Sequence, residues 1–144
     1  MIHGLDTGFL VAAEIREHLD HAAVRRTLGR LVNAGDLIGI APQVVAEFIH
    51  VVADARRFSQ PQDIASARDL AKLWWTARDA VQVFPDDSAT QFLAWHEQFS
   101  LGRKRLLDTQ LAATYSQARI SSLLTTNAND FNVFRIFTCL APGD

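Results

Sequence analysis

Short apolar runs alternate with longer stretches of helical spacing along the 144 residues of this chain. The apolar runs have the length and composition of strands that are buried on both faces of a sheet. These predicted strands are residues 2–5, 37–41, 81–84, 122–126 and 136–140. Between them, apolar residues recur every three or four positions, which predicts helices. The predicted helices are residues 9–17, 20–33, 42–55, 59–80, 89–99 and 106–119.

This alternation predicts an α/β fold, with a central, mostly parallel sheet of about five strands between two layers of helices. We expect one domain spanning residues 1–144, because no linker, low-complexity tract or internal repeat divides the chain. Parallel sheets bind ligands beyond the carboxyl ends of their strands, where the strand order reverses. Asp6 and Asn127 follow the first and fourth predicted strands, so both are expected at this edge.

Four acidic residues occupy positions that are unusual for a surface charge. Asp108 lies early in helix 106–119, and its neighbours at helical spacing are apolar. Glu47 borders the apolar stripe of its helix, while Asp6 and Asp130 follow the first and fourth strands. A carboxylate among apolar side chains is costly unless it is paired or holds a cation. These positions therefore require an explanation beyond solubility.

Each acid also has a purely structural interpretation. Asp6 or Asp108 could cap a helix, Glu47 could pair with a base, and Asp130 could cap a turn. Together the acids favour a shared divalent-metal site, because clustered carboxylates repel one another unless a cation offsets their charge. Mg²⁺ and Mn²⁺ prefer oxygen ligands, with water filling the remaining positions.

The charge balance limits the classes of partner. A net charge of −2 excludes a general polyanion binder. If the protein binds nucleic acid, the basic residues must be local, and the one dense basic cluster is Arg103, Lys104 and Arg105. This triplet is either a solvated loop or, given its position just before Asp108, a contact for phosphate.

Other chemistries lack their residues in this sequence. The histidines lack the spacing of zinc ligands, and His18 and His21 are expected on a polar helix face. There is no glycine-rich phosphate loop and no nucleophile elbow. A single cysteine excludes an internal disulfide, and no signal peptide or apolar stretch of about 20 residues is present. These features predict a cytoplasmic protein with no membrane segment.

Four segments, in this order, resemble a PIN domain. Each segment is short, but the ordered set is fairly specific and spans nearly the whole chain. The chain length and the immediate start of the first strand resemble the VapC-type toxins of bacterial toxin–antitoxin pairs. The matching segments are Leu5–Thr7, Val45–Phe48, Leu107–Tyr115 and Leu124–Phe131.

The resemblance implies a three-layer α/β/α sandwich and a metal-dependent ribonuclease. It implies Asp6, Glu47, Asp108 and Asp130 as the catalytic, metal-binding acids. The cofactor would be Mg²⁺, with Mn²⁺ possible, and the attacking group would be water. Arg103, Lys104 or Arg105 could steady the RNA backbone. The implied supporting residues are Thr7, Thr126 and Asn127.

The resemblance also implies an antitoxin protein as partner and a homodimer. Adjacent Trp74 and Trp75 cannot both face one core stripe, so one is expected to face a partner or a neighbouring helix. Many family members have an aspartate in place of Asn127, and an amide is a weaker ligand, which argues against a second tightly bound ion. Two alternatives stay open: a non-catalytic PIN-like module that binds metal or RNA, and a metal-dependent nuclease acting on DNA.

Overall fold

The computed structural model describes residues 1–144 and has helices on both sides of one five-stranded sheet. The strands are β1 (Ile2–Leu5), β2 (Leu37–Ile40), β3 (Ala80–Gln82), β4 (Ser122–Leu124) and β5 (Thr138–Leu140). The helices are α1 (Thr7–Glu14), α2 (His21–Asn33), α3 (Pro42–Val52), α4 (Ile64–Trp75), α5 (Ala89–Gln98), α6 (Leu106–Gln117) and α7 (Asn129–Asn132). A 3₁₀ turn, Arg103–Arg105, precedes α6.

All neighbouring strands in the sheet are parallel, in the order β3-β2-β1-β4-β5. The chain builds outward from β1 to β3 and then returns to the other side of β1 to add β4 and β5. The strand order therefore reverses between β1 and β4, and a crevice forms beyond their carboxyl ends. The predicted α/β fold with about five mainly parallel strands is confirmed.

Tyr115 of α6 fixes the end of β1. Its fully buried hydroxyl donates to the Leu5 carbonyl at 2.6 Å and accepts the Leu5 N–H at 3.1 Å. The Gly39 carbonyl of β2 lies 3.1 Å from the same hydroxyl. Gly4 makes room for the aromatic ring, since a Cβ at that position would stand 2.9 Å from it. This packing holds the backbone directly before Asp6.

Several predicted boundaries are wrong. The helix predicted over 59–80 runs only from Ile64 to Trp75. It starts late because Asp63 caps it, accepting the Ser66 N–H at 2.9 Å. Residue 80 belongs to β3, and α1 is Thr7–Glu14 instead of 9–17.

Further differences concern shorter elements. The third and fifth strands are Ala80–Gln82 and Thr138–Leu140, shorter or shifted relative to the predictions. Helix α7 has only four residues, too few to show helical periodicity, and was not predicted. None of the helices has the length and apolar character that crossing a membrane requires.

The paired tryptophans both pack within the chain. The Trp74 indole N–H donates to Glu14 Oε1 of α1 at 2.6 Å. Trp75 meets Phe84 edge to face, with ring centroids 5.6 Å apart. Trp74 therefore contacts a neighbouring helix, in line with that part of the expectation.

Candidate metal centre

Asp6 directly continues β1 at the switch point of the sheet. Its backbone N–H donates to the Leu124 carbonyl at 3.0 Å, which ties it to the end of β4. Although Asp6 stands at the N-cap of α1, its side chain makes no capping bond and accepts the buried Thr125 hydroxyl at 2.8 Å. The interpretation of Asp6 as a simple helix cap therefore fails, because its carboxylate faces the crevice side of the sheet edge.

Burial raises the pKa of Asp6 from 3.8 to about 6. The Thr125 hydrogen bond lowers this pKa, while the charges of Glu47 and Asp130 raise it. The folded protein therefore holds a carboxylate whose charge is not fully compensated by protein groups.

Glu47 reaches the same crevice from α3. It is half-buried and lies about one and a half turns into a helix that begins at Pro42. The buried Thr7 hydroxyl donates to Glu47 Oε2 at 3.0 Å. Thr7 thus links the first turn of α1 to α3 and orients the glutamate.

Asp108 lies in the first turn of α6, inside the helix rather than at its N-cap. Its neighbours at helical spacing are Leu111, Ala112 and Tyr115, and all three are buried, as the apolar pattern predicted. Burial, followed by the charges of Asp6 and Asp130, raises the pKa of Asp108 to about 6. The nearby Arg105 lowers it only in part.

Asp130 enters from α7 and is held by two neighbours. The Asn127 amide donates to Asp130 Oδ2 at 2.6 Å. Arg105 donates through Nη2 to the Asp130 backbone carbonyl, and its Nε stands 3.8 Å from Asp108 Oδ2. The buried Nε of Arg105 has no hydrogen-bond partner. Arg105 thus spans the backbone of α7 and the first turn of α6.

One cavity collects all four predicted acids, with a volume of about 510 Å³. Thr7, Thr126 and Asn127 line the same cavity. A smaller cavity of about 320 Å³ adjoins it between α3 and α6 and is lined by Asp6, Glu47 and Asp108 among others. The predicted site residues therefore come together from elements that are far apart in sequence.

The donor set suits a hard divalent cation. It consists of carboxylate oxygens, and the raised pKa values of Asp6 and Asp108 reflect burial and mutual repulsion that a cation would relieve. No three His, Cys, Asp or Glu side chains converge into a ready coordination group. The residues present therefore suit Mg²⁺, which usually keeps several water ligands and binds through a small number of carboxylates.

The basic triplet divides into two kinds of residue. Arg103 and Lys104 are exposed on the 3₁₀ turn and do not line the cavity. Arg105 is half-buried and turned toward α7. Arg103 and Lys104 therefore lie outside the cavity lining, and their contact with RNA stays a prediction.

Sequence reasoning missed four polar or aromatic residues at or beside the cavity. Thr125, and not the predicted Thr126, donates a hydrogen bond to Asp6. Nothing in the sequence distinguishes these two adjacent threonines. His18 does not lie on a helix face but in the turn before α2, beside the acids. Arg57 and Phe58 follow α3 and also line the cavity. The predicted helix 42–55 also left both residues in a loop, and only the path of that loop in the tertiary structure places them at the cavity.

A parallel α/β sheet with a carboxylate-lined cavity at its switch point is the architecture of a PIN-like domain. The sequence agrees: residues 5–135 match the profile of the PIN domain, so the chain belongs to the PIN domain family. The predicted family resemblance is confirmed. No curated protein sequence matches the chain significantly.

Several solved structures share the fold, among them the following three. The chain superposes on a VapBC-1 structure from nontypeable Haemophilus influenzae with a TM-score of 0.68 and 16% identity over 100% of both chains. A VapBC2 structure from Rickettsia felis, bound to a DNA fragment from its promoter, gives 0.67 and 18% over 98% of both chains. Mycobacterium tuberculosis VapC20, a Sarcin-Ricin loop cleaving toxin, gives 0.63 and 16%, covering 85% of this chain and 87% of that chain.

Proposed function

We propose that this protein is a Mg²⁺-dependent endoribonuclease and the toxin of a toxin–antitoxin pair. The observation that carries the proposal is the convergence of Asp6, Glu47, Asp108 and Asp130 on one cavity at the sheet's switch point. PIN domains of the VapC type are nucleases, and PIN-domain nucleases generally depend on divalent metals. One structural neighbour is described as a toxin that cleaves the Sarcin-Ricin loop, which favours RNA over DNA as the substrate.

The side chains of the cavity have separate roles in this proposal. Asp6, Glu47 and Asp108 would hold the ion, with Asp130 as the outer acid. Bound Mg²⁺ would supply activation of a water molecule and would offset charge on the scissile phosphate. Thr125 and Thr7 orient Asp6 and Glu47 through their hydroxyls.

Asn127 bears on the number of ions. Its amide donates to Asp130, so it positions that carboxylate instead of adding a negative charge of its own. An aspartate at this position would give the site one more carboxylate. Because asparagine does not, we propose one tightly bound ion. Mn²⁺ has the same preference for oxygen ligands and would be the natural substitute for Mg²⁺.

The proposal includes an antitoxin partner and a homodimer in the cytoplasm. Two of the structural neighbours are VapBC structures, which supports an antitoxin as partner.

The direct test is cleavage of structured RNA, including tRNA, by purified protein with Mg²⁺ and with EDTA. Asp108→Asn should abolish cleavage and leave the circular dichroism spectrum unchanged. Asp69→Asn, on an exposed position of α4, is the matched control and should cleave like the wild type.

Three results would overturn the proposal or redirect it. Full cleavage by pure Asp108→Asn protein would exclude this site. Metal binding by calorimetry without cleavage of any RNA would favour a non-catalytic module. Cleavage of single-stranded or structured DNA in preference to RNA would favour the alternative of a nuclease acting on DNA.

A further inference from the structure

The cavity has a second wall that the metal chemistry does not use. This wall consists of His18, Arg57 and Phe58, and we call it the basic-aromatic wall. It carries basic and aromatic groups, in contrast to the acids. It contributes a cationic guanidinium, an imidazole and an aromatic ring to the same space of about 510 Å³. An RNA chain is a polyanion, so the acids alone would repel it unless a nearby cation attracts its phosphates.

Arg57 is fixed at one edge and free at the other. Its Nε donates to Asp54 Oδ2 at 3.3 Å, and the Asp54 side chain is only 11% exposed. Hydrogen bonds from the Arg56 side chain lower the pKa of Asp54 to about 2, so this anchor stays ionised at neutral pH. The terminal nitrogens of Arg57 donate to no protein group, and its side chain is 56% exposed. A guanidinium held in this way presents paired donors that match a phosphate.

His18 presents a donor of known tautomer. The Asp20 backbone N–H donates to His18 Nδ1 at 3.0 Å. A backbone N–H is always the donor, so neutral His18 must carry its proton on Nε2. That nitrogen makes no hydrogen bond with the protein and is therefore available to an oxygen atom of a ligand.

Phe58 adds a surface for stacking. Its ring is half-buried and packs against the core, which fixes the ring while leaving part of it exposed at the cavity. Exposed aromatic rings beside cationic groups bind unpaired bases, since every base has a face that stacks.

The two loops that carry this wall are tied together. The Ser59 hydroxyl donates to Glu17 Oε2 at 2.6 Å. Ser59 follows Phe58, and Glu17 precedes His18, so this bond joins the segment after α3 to the turn after α1. The bond therefore connects the two loops that carry the three side chains.

We propose that the basic-aromatic wall binds single-stranded RNA beside the scissile bond, with Arg57 and His18 on a phosphate and Phe58 stacked on an unpaired base. This inference rests on the proposed ribonuclease function and adds the part of the site that recognises the substrate. It also predicts a preference for unpaired segments over continuous duplex, because a stacked base cannot pair at the same time.

The chain supplies a matched control for Arg57. Arg56 is its neighbour and shares the Asp54 anchor, but it does not line the cavity. Arg56→Gln and Arg57→Gln therefore make the same change in charge at adjacent positions. We would measure binding of a labelled single-stranded RNA and its duplex by anisotropy in the Asp108→Asn background, and KM and kcat in the otherwise unchanged protein.

Arg57→Gln should weaken binding and raise KM about tenfold, with kcat little changed, because one charged phosphate contact is lost. The slope of log affinity against log salt should fall by about 0.7 for a single strand. Arg56→Gln should change neither quantity. Phe58→Leu should weaken single-strand binding about tenfold, while Phe58→Tyr should restore it.

The outcomes separate this inference from the ribonuclease proposal. Equal affinities for Arg56→Gln and Arg57→Gln would overturn the phosphate contact. Equal binding of duplex and single strand, or wild-type binding by Phe58→Leu, would overturn the stacking. If RNA binding depends on Arg57 but the protein cleaves no RNA, the RNA-binding role of the basic-aromatic wall is supported and the ribonuclease proposal is refuted. No binding of single-stranded RNA by any variant would overturn the wall itself.

Discussion

Replacing Asp6 with asparagine should stabilise the metal-free protein at neutral pH, even though it removes a proposed metal ligand. The folded protein binds a proton at Asp6 with a pKa of about 6, against 3.8 for the unconstrained side chain. Burial is the main cause, and the charges of Glu47 and Asp130 add to it. Asparagine has nearly the same shape, can still accept the Thr125 hydrogen bond and carries no charge.

The magnitude follows from linkage between proton binding and folding. A raised pKa means that the contribution of Asp6 to stability is fully present below pH 3.8 and is lost as pH rises through about 6. Each factor of ten in proton affinity is worth about 1.36 kcal/mol, so ionised Asp6 costs the fold about 3 kcal/mol at pH 7.5. Lowering the pH from 7.5 to 5 should recover about 1.4 kcal/mol of this cost.

The assay is denaturant unfolding in EDTA at pH 7.5 and pH 5, for the wild type and Asp6→Asn. The free energy of unfolding of the variant should exceed that of the wild type at pH 7.5, by less at pH 5. Asp36 and Asp54 have lowered pKa values, so their stabilising effect persists above pH 3.8. Asp108, with a pKa raised to about 6, costs stability in the same window in both proteins, so the difference between wild type and variant reports Asp6. Asp69→Asn serves as the exposed control. Adding Mg²⁺ at pH 7.5 should then stabilise the wild type more than the variant.

The reasoning would be refuted by a variant that is less stable than the wild type in EDTA at pH 7.5. It would equally be refuted if the wild type and Asp6→Asn lost stability in parallel between pH 5 and pH 7.5. Either result would mean that protein groups already compensate the Asp6 carboxylate and that the cavity has no surplus of negative charge.

Three further predictions concern the framework of the site. Tyr115→Phe should lower the free energy of unfolding by about 1–3 kcal/mol, because the buried N–H of Leu5 loses its partner; an unchanged denaturation midpoint would contradict this. Arg105→Gln should lower the free energy of unfolding by about 1–3 kcal/mol, because the contact with α7 is lost. Arg103→Gln, at an exposed position, should change it by no more than about 0.5 kcal/mol. Equal effects of the two variants in chemical denaturation would contradict this. Gly4→Ala should cost about 1–3 kcal/mol by overpacking, since the new Cβ would stand 2.8 Å from a core side chain; a thermal midpoint equal to that of the wild type would rule this out.

Much of the fold could be predicted because its pattern is local. The strand 2–5 and the helix 106–119 differ in hydrophobic period, and period is a property of neighbouring residues. Boundaries were less certain because they depend on individual capping bonds. Asp63 ends the loop before α4 by bonding Ser66, so the helix begins at Ile64 and not at the predicted residue 59. Helix α7 has four residues, about one turn, which is too short for apolar residues to recur at helical spacing.

The sequence by itself determined the alternation of strands and helices, the parallel sheet and the four unusual acids, since each is visible as a charge or a period along the chain. Only the tertiary structure decided which polar groups meet. It brought Thr125 to Asp6, turned Arg105 away from Arg103 and Lys104, and placed His18 and Arg57 in the cavity of the acids. These contacts join residues far apart in the chain, and their geometry depends on strand order and loop paths that no local pattern encodes.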